Sequence, residues 1–228
     1  MRKFRQVNGI AVYENDDHLQ ESRLTKKFID HADSYGFYPK IVPSVVKRST
    51  IERQDVVHWD FTLRINDQQA LSGSAEQGLL ELFADSETFE CNYFAYNQCF
   101  RNEREHVGWM RCREFRKVEL FSFCHPENWE EKFNHLLTTA TTFLDYLQEH
   151  YDFPEYRIVD RTTDDPGYHV LKKDIEVLTR THGWMETHSC TYFGDEQVKR
   201  FNITGGVHTI SNTGIAFPRI LIPLLERG

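Results

Sequence analysis

The 228-residue chain lacks most of what would place it in a special class. No apolar run approaches a membrane span, and the opening MRKFRQVNGIAVYENDD lacks the apolar core of a secretory signal. Its five cysteines include no CxxC pair. That odd count argues against a disulfide framework and for free thiols in a reducing compartment, so a cytoplasmic protein is expected. There is no internal repeat and no low-complexity tract. Neither GxxxxGK(S/T) nor GxGxxG is present, which removes the two familiar glycine-rich phosphate cradles. Basic charge is also short: the formal net charge is −8, a poor balance for a protein living by non-specific phosphate contacts, although a local basic patch is still open to it. What is there fits an ordinary globular protein, with 39% hydrophobic and 27% charged residues. The length suits one domain over residues 1–228 with a full core.

The most informative stretch runs from Cys99 to Phe123, CFRNEREHVGWMRCREFRKVELFSF. It reads as two strands joined by a charged loop. Side chains alternate along a strand, so Arg101 and Glu103 share one face of the first. Arg111, Arg113, Phe115, Lys117 and Glu119 share one face of the second. Arginines, carboxylates and one aromatic ring make a poor core and a good bed for a ligand with phosphates, a flat base and an ammonium group.

Around this hairpin, residues 19–34 predict an amphipathic helix through Leu24, Phe28 and Ala32, closed at Tyr35-Gly36. Residues 37–46 are a β-branched strand whose Pro43 places it at an edge or an interface. Residues 57–65 alternate like a strand, Asn66-Asp67 is a turn, and the return strand runs through Ala70-Leu71. A helix then starts near Ser74, where Ser74 caps and Glu76 favours the first turn. Pro126-Glu127 opens a long helix to about His150, whose apolar stripe includes Trp129, Phe133, Leu137 and Leu147. Strands follow at 156–159, from Tyr168 with Lys172-Lys173, and from Gly183. The last helix carries Arg219 among Phe217, Ile220, Leu221, Leu224 and Leu225. A guanidinium there needs a partner, either a sheet carboxylate or a nucleotide phosphate. His188, Cys190 and the distant cysteines lack zinc-ligand spacing.

Phe-Arg-x-Glu, a short loop, Arg-x-x-x-Phe and Val-Glu resembles motif 2 of the class II aminoacyl-tRNA synthetases. The words Cys-Phe-Arg-x-Glu and Lys-Val-Glu-Leu-Phe are most similar to the seryl-tRNA synthetases. The helix, glycine and Pro43 strand resemble motif 1, and the closing His-Thr, Asn212-Thr213-Gly214 and Arg219 resemble motif 3. Ser74-Ala75-Glu76 resembles that family's Thr-x-Glu element, with serine for threonine. Asp174-Ile175-Glu176-Val177 is kept, and Glu186, Ser189, Cys190, Asp195, Gln197 and Arg200 fall on the positions of a further run.

The resemblance implies an α+β fold, a mostly antiparallel sheet of about six strands flanked by helices, in a homodimer. It implies activation of an amino acid by ATP with Mg²⁺, serine by similarity alone. Arg101 would take the α-phosphate and substrate carboxylate, and Arg111 and Arg219 the outer phosphates. Phe115 would stack on adenine, with Glu103 beside the nucleotide, and Glu186 and Ser189 would carry Mg²⁺. Ser74, Glu76, Arg101, Glu103, Glu119, Asn212 and Thr213 would form the amino-acid pocket. KMSK, a word of the other synthetase class, is absent.

The chain departs from that family in having no N-terminal coiled-coil arm and a shorter hairpin loop, Glu103 to Trp109. Both departures weaken the expectation of tRNA as acceptor and leave adenylate formation untouched. A carrier protein or a small molecule is a further acceptor class. The armless amino acid:carrier-protein ligases hold zinc with cysteines, and Ser74 stands where one such cysteine would be. The alternatives are a paralogue that binds nucleotide or amino acid without turnover, and a partner that dimerises with a full synthetase to regulate it.

Overall fold

The computed structural model describes residues 5–13, 15–54, 61–103, 108–164 and 167–226. A short hairpin, β1 (Gln6–Val7) and β2 (Ile10–Ala11), leads into α1 (Asn15–Ser34). Leu24, Phe28 and Ala32 are fully buried on one face of α1, and Gly36 closes the helix in left-handed backbone at φ +81°. The run 37–46, predicted as one strand, is two: β3 (Tyr38–Pro39) and β4 (Val45–Lys47). The chain changes sheets around Pro43, which has no N–H to give a ladder. After α2 (Arg48–Gln54), β4 pairs with β5 (Gln69–Leu71) in a sheet of two. Of the strand predicted over 57–65, residues 57–60 lie outside the described residues. Residues 61–65 hold only an isolated Arg64–Ala70 bridge.

Next come α3 (Ala75–Phe83), β6 (Cys91–Phe100) and β7 (Glu114–Cys124). A 3₁₀ turn at Pro126–Asn128 starts the long α4 (Trp129–Tyr151). The remaining elements are β8 (Tyr156–Asp160), β9 (Leu171–Thr179), β10 (Gly183–Gly194), α5 (Glu196–Arg200), β11 (His208–Phe217) and α6 (Leu221–Leu225). The strand predicted from Tyr168 thus begins at Leu171. Arg219 sits in the turn before α6 instead of in a helix, with Leu221 N–H bonded to Pro218 O at 2.8 Å.

The main sheet has nine strands, and β6 to β11 form its body, which is the expected sheet. Its pairings are antiparallel except β2 with β7 and β3 with β6. Strand β7 is central and shows how the two faces divide. Val118, Leu120 and Cys124 join Phe28 of α1 and Phe133, Leu136 and Ala140 of α4 in the larger core. On the opposite face Phe121 and Phe123 pack with Leu79 and Leu80 of α3 and Val198 of α5. Closer to its N-terminal end, Phe115, Lys117 and Glu119 share that second face but line an open cleft. Alternation therefore writes one strand as core on one side and as core plus site on the other. Gly78 lets α3 lie close, since a Cβ there would stand 2.8 Å from Val42 Cβ and 2.9 Å from Pro43 O. Among the described residues no helix is long and apolar enough to cross a membrane. All five cysteines are free thiols.

Candidate active site

The cleft on that second face has a volume of about 470 Å³, within the range of small-molecule sites. A smaller recess of about 70 Å³, between Phe115 and Arg219, adjoins it and shares Arg101, Glu103, Arg111, Lys117, Glu186 and Thr213 as lining.

The two motif strands end sooner than their sequence predicts. Arg101 and Glu103 follow β6, and Arg111 and Arg113 precede β7. One further backbone bond, Arg101 N–H to Arg113 O at 2.8 Å, continues the pairing. The Arg113 N–H then turns away to Gly9 O at 2.7 Å, so the N-terminal hairpin takes the next donor and the strands part. The Gln6 amide reinforces this by donating to Gly108 O and, at 2.9 Å, to Arg111 O. Residues 104–107 of the predicted loop lie outside the described residues.

Arg101, Arg111 and Arg219 nevertheless line the same recess. Arg219 is gripped by carbonyls: its Nε and Nη2 donate to Met110 O at 3.3 and 3.1 Å, and its Nη1 to Glu186 O at 3.0 Å. Burial lowers its pKa, Glu186 opposes, and the charges of Arg101 and Arg111 add to the lowering. Each cation has a local counterpart. Arg111 lies 3.4 Å from Glu103, Arg219 3.6 Å from Glu186, and Lys117 pairs with Glu119. The Arg101 guanidinium lies 5.0 Å from the Phe115 ring centre, a cation–π contact.

The acidic end is built by α3 and β7. Ser74 caps α3, its Oγ accepting from Glu76 N–H at 3.2 Å, and the same hydroxyl donates to Glu119 at 3.3 Å. Glu76 is held by the amides of Gln54 and, at 2.8 Å, Gln197, whose own oxygen accepts from Thr209 Oγ1 at 2.7 Å. Burial raises the Glu119 pKa; Lys117 lowers it and Glu76 raises it again. A buried carboxylate pair with one ammonium beside it is a receptor for a second cationic group.

Two β-bulges decide which side chains reach the cleft. Residues three apart on a regular strand face opposite ways, so Glu186 and Ser189 should not meet. The register of β10 shifts between Glu186 and His188, and Glu186 and Ser189 both line the larger cleft. The register of β11 shifts between Thr213 and Ile215, and Thr213 and Ala216 line the recess together. Gly214, in that second bulge, lies against α1: a Cβ would fall 2.4 Å from the Phe28 ring. Asn212 is not brought to the cleft. It alternates with Ser211 and Thr213, and its Nδ2 donates to Leu136 O of α4 at 2.9 Å, on the core side. Its place in the amino-acid pocket is thereby corrected.

Lys117, Gln54, Gln197, Thr209 and the lining residues Tyr168, His169 and Lys172 carry no role in the sequence reading. Lys117 is signalled there by its phase with Phe115 and Glu119, Lys172 as half of a basic pair and Gln197 by its place in the further run. Among the described residues no group of three His, Cys, Asp or Glu side chains is arranged to hold a metal. Burial pushes the Cys99 thiol up to about 11 and raises that of Cys112 in the recess, so neither supplies a thiolate nucleophile. The arrangement suits charge neutralisation and positioning, not covalent catalysis.

Residues 60–227 match the family described as tRNA synthetase class II core domain (G, H, P, S and T). The chain is similar to the serine–tRNA ligase of Deinococcus radiodurans, 32% identical over 247 aligned residues that cover 96% of this chain and 57% of that protein. The serine–tRNA ligase of Gemmatimonas aurantiaca is 30% identical, with 96% of this chain and 56% of that one covered. Among solved structures, the seryl-tRNA synthetase of Pyrococcus horikoshii complexed with ATP superposes with a TM-score of 0.86 at 25% identity, over 96% of this chain and 53% of that one. The cytoplasmic serine–tRNA ligase of Naegleria fowleri in complex with AMP gives 0.85 at 20% identity, over 96% and 50%. The chain thus spans about half the length of the relatives it matches.

Proposed function

Because this chain belongs to the class II tRNA synthetase core family, we propose that it activates an amino acid, serine first, by joining its carboxylate to the α-phosphate of ATP with loss of pyrophosphate. The observation that carries this reading is the convergence of three arginines from three separate segments on one recess. Isolated guanidiniums repel one another, and a polyphosphate is the ligand that turns their proximity to advantage. Arg101 lines both the recess and the larger cleft, and it would bridge the α-phosphate and the substrate carboxylate. Arg111 and Arg219 would hold the outer phosphates, and the Phe115 ring would take the adenine face. Glu119, Glu76, Ser74 and Thr213 would receive the ammonium and hydroxyl of the amino acid. A site that hydrogen-bonds the hydroxyl rejects alanine strongly, because its own buried polar groups would then go unpaired.

The charges of the cleft support a requirement for Mg²⁺. Arg101, Arg111, Lys117, Lys172 and Arg219 stand against Glu76, Glu103, Glu119 and Glu186, so the lining offers a tetra-anionic nucleotide only one net positive charge. Glu186 and Ser189 offer one carboxylate and one hydroxyl on a common face, a hard-oxygen set that fits Mg²⁺ completed by phosphates and water. Bound there, the ion would neutralise phosphate charge as pyrophosphate leaves. Glu186 would then release Arg219, now 3.6 Å away, toward the nucleotide.

Amino-acid-dependent ATP–pyrophosphate exchange across the twenty amino acids tests the proposal. Exchange with serine is expected, and nucleotide binding without exchange for any amino acid would favour a binding paralogue. Arg219→Ala is expected to abolish exchange while keeping a cooperative unfolding transition. Normal exchange in that variant would remove the phosphate role. The acceptor proposed is a tRNA bound weakly, with a carrier protein or a small molecule as the alternatives that transfer assays separate.

A further inference from the structure

The ladder between β10 and β11 runs from Gly194–Thr209 to Cys190–Asn212. Immediately beyond it lie the two bulges, at Thr187 and Gly214, and the imidazole of His188 spans them. Its Nε2 stands 3.0 Å from Gly214 O and its Nδ1 2.8 Å from Thr187 Oγ1. A carbonyl only accepts, so Nε2 carries the hydrogen, and Nδ1 of the neutral ring accepts from the Thr187 hydroxyl. The same hydroxyl lies 3.2 Å from Ile175 O of β9, but it has one hydrogen, and while that is given to Nδ1 it is not shared with the carbonyl. His188 is 1% exposed, lines neither the cleft nor the recess, and has no part in the chemistry above.

Its neighbours do. The bulge on one side of the ring turns Glu186 and Ser189 to the same face, and the bulge on the other turns Thr213 and leads on to Arg219. Where backbone pairing stops, nothing in a regular ladder would set the separation of these two groups. A rigid, two-ended ring bonded to both bulges does.

We propose that His188 is a positioning residue, which clamps the β10 bulge to the β11 bulge and so holds the Glu186–Ser189 oxygens in register with Thr213 and Arg219. This rests on the reading of the cleft as a nucleotide site. The clamp acts mainly on the phosphate end: Glu186, Ser189 and Arg219 all depend on the two bulges, whereas of the amino-acid pocket only Thr213 does, Ser74, Glu76 and Glu119 belonging to the α3 region and β7. A buried histidine that merely fills the core would affect folding without choosing between the two ends of the cleft.

The test compares His188→Gln, which keeps an N–H at the reach of Nε2, with His188→Phe, which fills the volume and donates nothing. Magnesium–ATP affinity, its dependence on Mg²⁺ concentration and serine affinity are measured by calorimetry, beside thermal unfolding. Expected for His188→Phe is a loss of about tenfold in nucleotide affinity, the lower end of what outer-sphere partners of metal sites contribute. Its half-saturating Mg²⁺ should rise, and its serine affinity should fall by clearly less than its nucleotide affinity, since Thr213 is the one pocket residue on the clamped bulges. His188→Gln should recover most of the nucleotide affinity. Wild-type nucleotide affinity in a folded His188→Phe overturns the clamp, and so does an equal loss at both ends. If that variant fails to fold, Thr187→Val decides, since it removes the hydroxyl that orients the ring; unchanged nucleotide affinity there is equally fatal. A wild-type protein that binds no magnesium–ATP would overturn the nucleotide reading and this inference with it.

Discussion

At the scale of single residues, the cleft is a set of charges that offset one another, and the Lys117–Glu119 pair is the most deeply placed. Both side chains are less than a tenth exposed. Desolvating two charges costs several kcal/mol, which their mutual attraction and the Ser74 hydroxyl repay. Lys117→Met should therefore cost about 3–5 kcal/mol of stability, because it strands a buried carboxylate. The double variant Lys117→Met, Glu119→Gln should regain much of that loss in denaturant unfolding while losing serine binding. If the single and double variants are equally unstable, the pair is not what stabilises this end. Most of these residues were legible beforehand, since Phe115, Lys117 and Glu119 share a strand phase and Arg101 lies in a recognisable word. Lys117 drew no role because phase shows which face a residue takes and not which neighbour it meets. Asn212 failed for the opposite reason: it sits beside Thr213 in a recognisable word, but its phase turns it to Leu136.

At the scale of elements, the outer strands are tied by charge where they carry little apolar cover. Glu176 of β9 receives Arg157 Nε of β8 at 2.8 Å and Arg161 Nη2 at 2.7 Å. Burial pushes this carboxyl up, but the hydrogen bonds and charges of the two arginines outweigh it and hold the pKa below the ordinary value. A depressed folded-state pKa contributes stability above the unfolded value, and that stability disappears as pH falls through the folded one. Arg157→Ala should lower stability by about 1 kcal/mol or less near neutrality. The gap from wild type should close as pH falls below the ordinary glutamate value of 4.5. Melting curves across that window check it, and a gap that widens in acid would reverse the assignment. Element existence was readable from periodicity, as α1 and α4 show. Element ends were not. The strand predicted through Pro43 divides between two sheets, and the motif strands stop short because the Arg113 N–H is claimed by Gly9, more than a hundred residues earlier.

At the scale of the whole molecule, the expected homodimer remains a proposal with a surface to test it. Ile41 is 99% exposed and Tyr38 63%, and with Val45 they form an apolar margin around β3 and β4, beside Tyr96 at 42%. Ile41→Asp should convert a dimer to a monomer in light scattering without lowering the monomer's helix content. A wild-type protein that is monomeric at high concentration would remove the motif 1 reading of the Pro43 region. The net charge of −8 fits a protein that does not bind nucleic acid by general attraction, so any tRNA acceptor would have to be recognised by local contacts.

What the chain's order of residues determined by itself was the inventory: which side chains are present, their phase on β7, the cap at Ser74, and the words that mark them. These are local properties, set by covalent spacing and by the two-residue and 3.6-residue repeats of the backbone. The tertiary structure alone decided which of them meet. Glu186 and Ser189 face the same way only because β10 bulges, and Thr213 reaches the recess beside Ala216 only because β11 does. A bulge is stable when neighbouring strands and helices absorb its extra residue, as Phe28 and His188 do at Gly214, and that compensation is not written at the bulge itself.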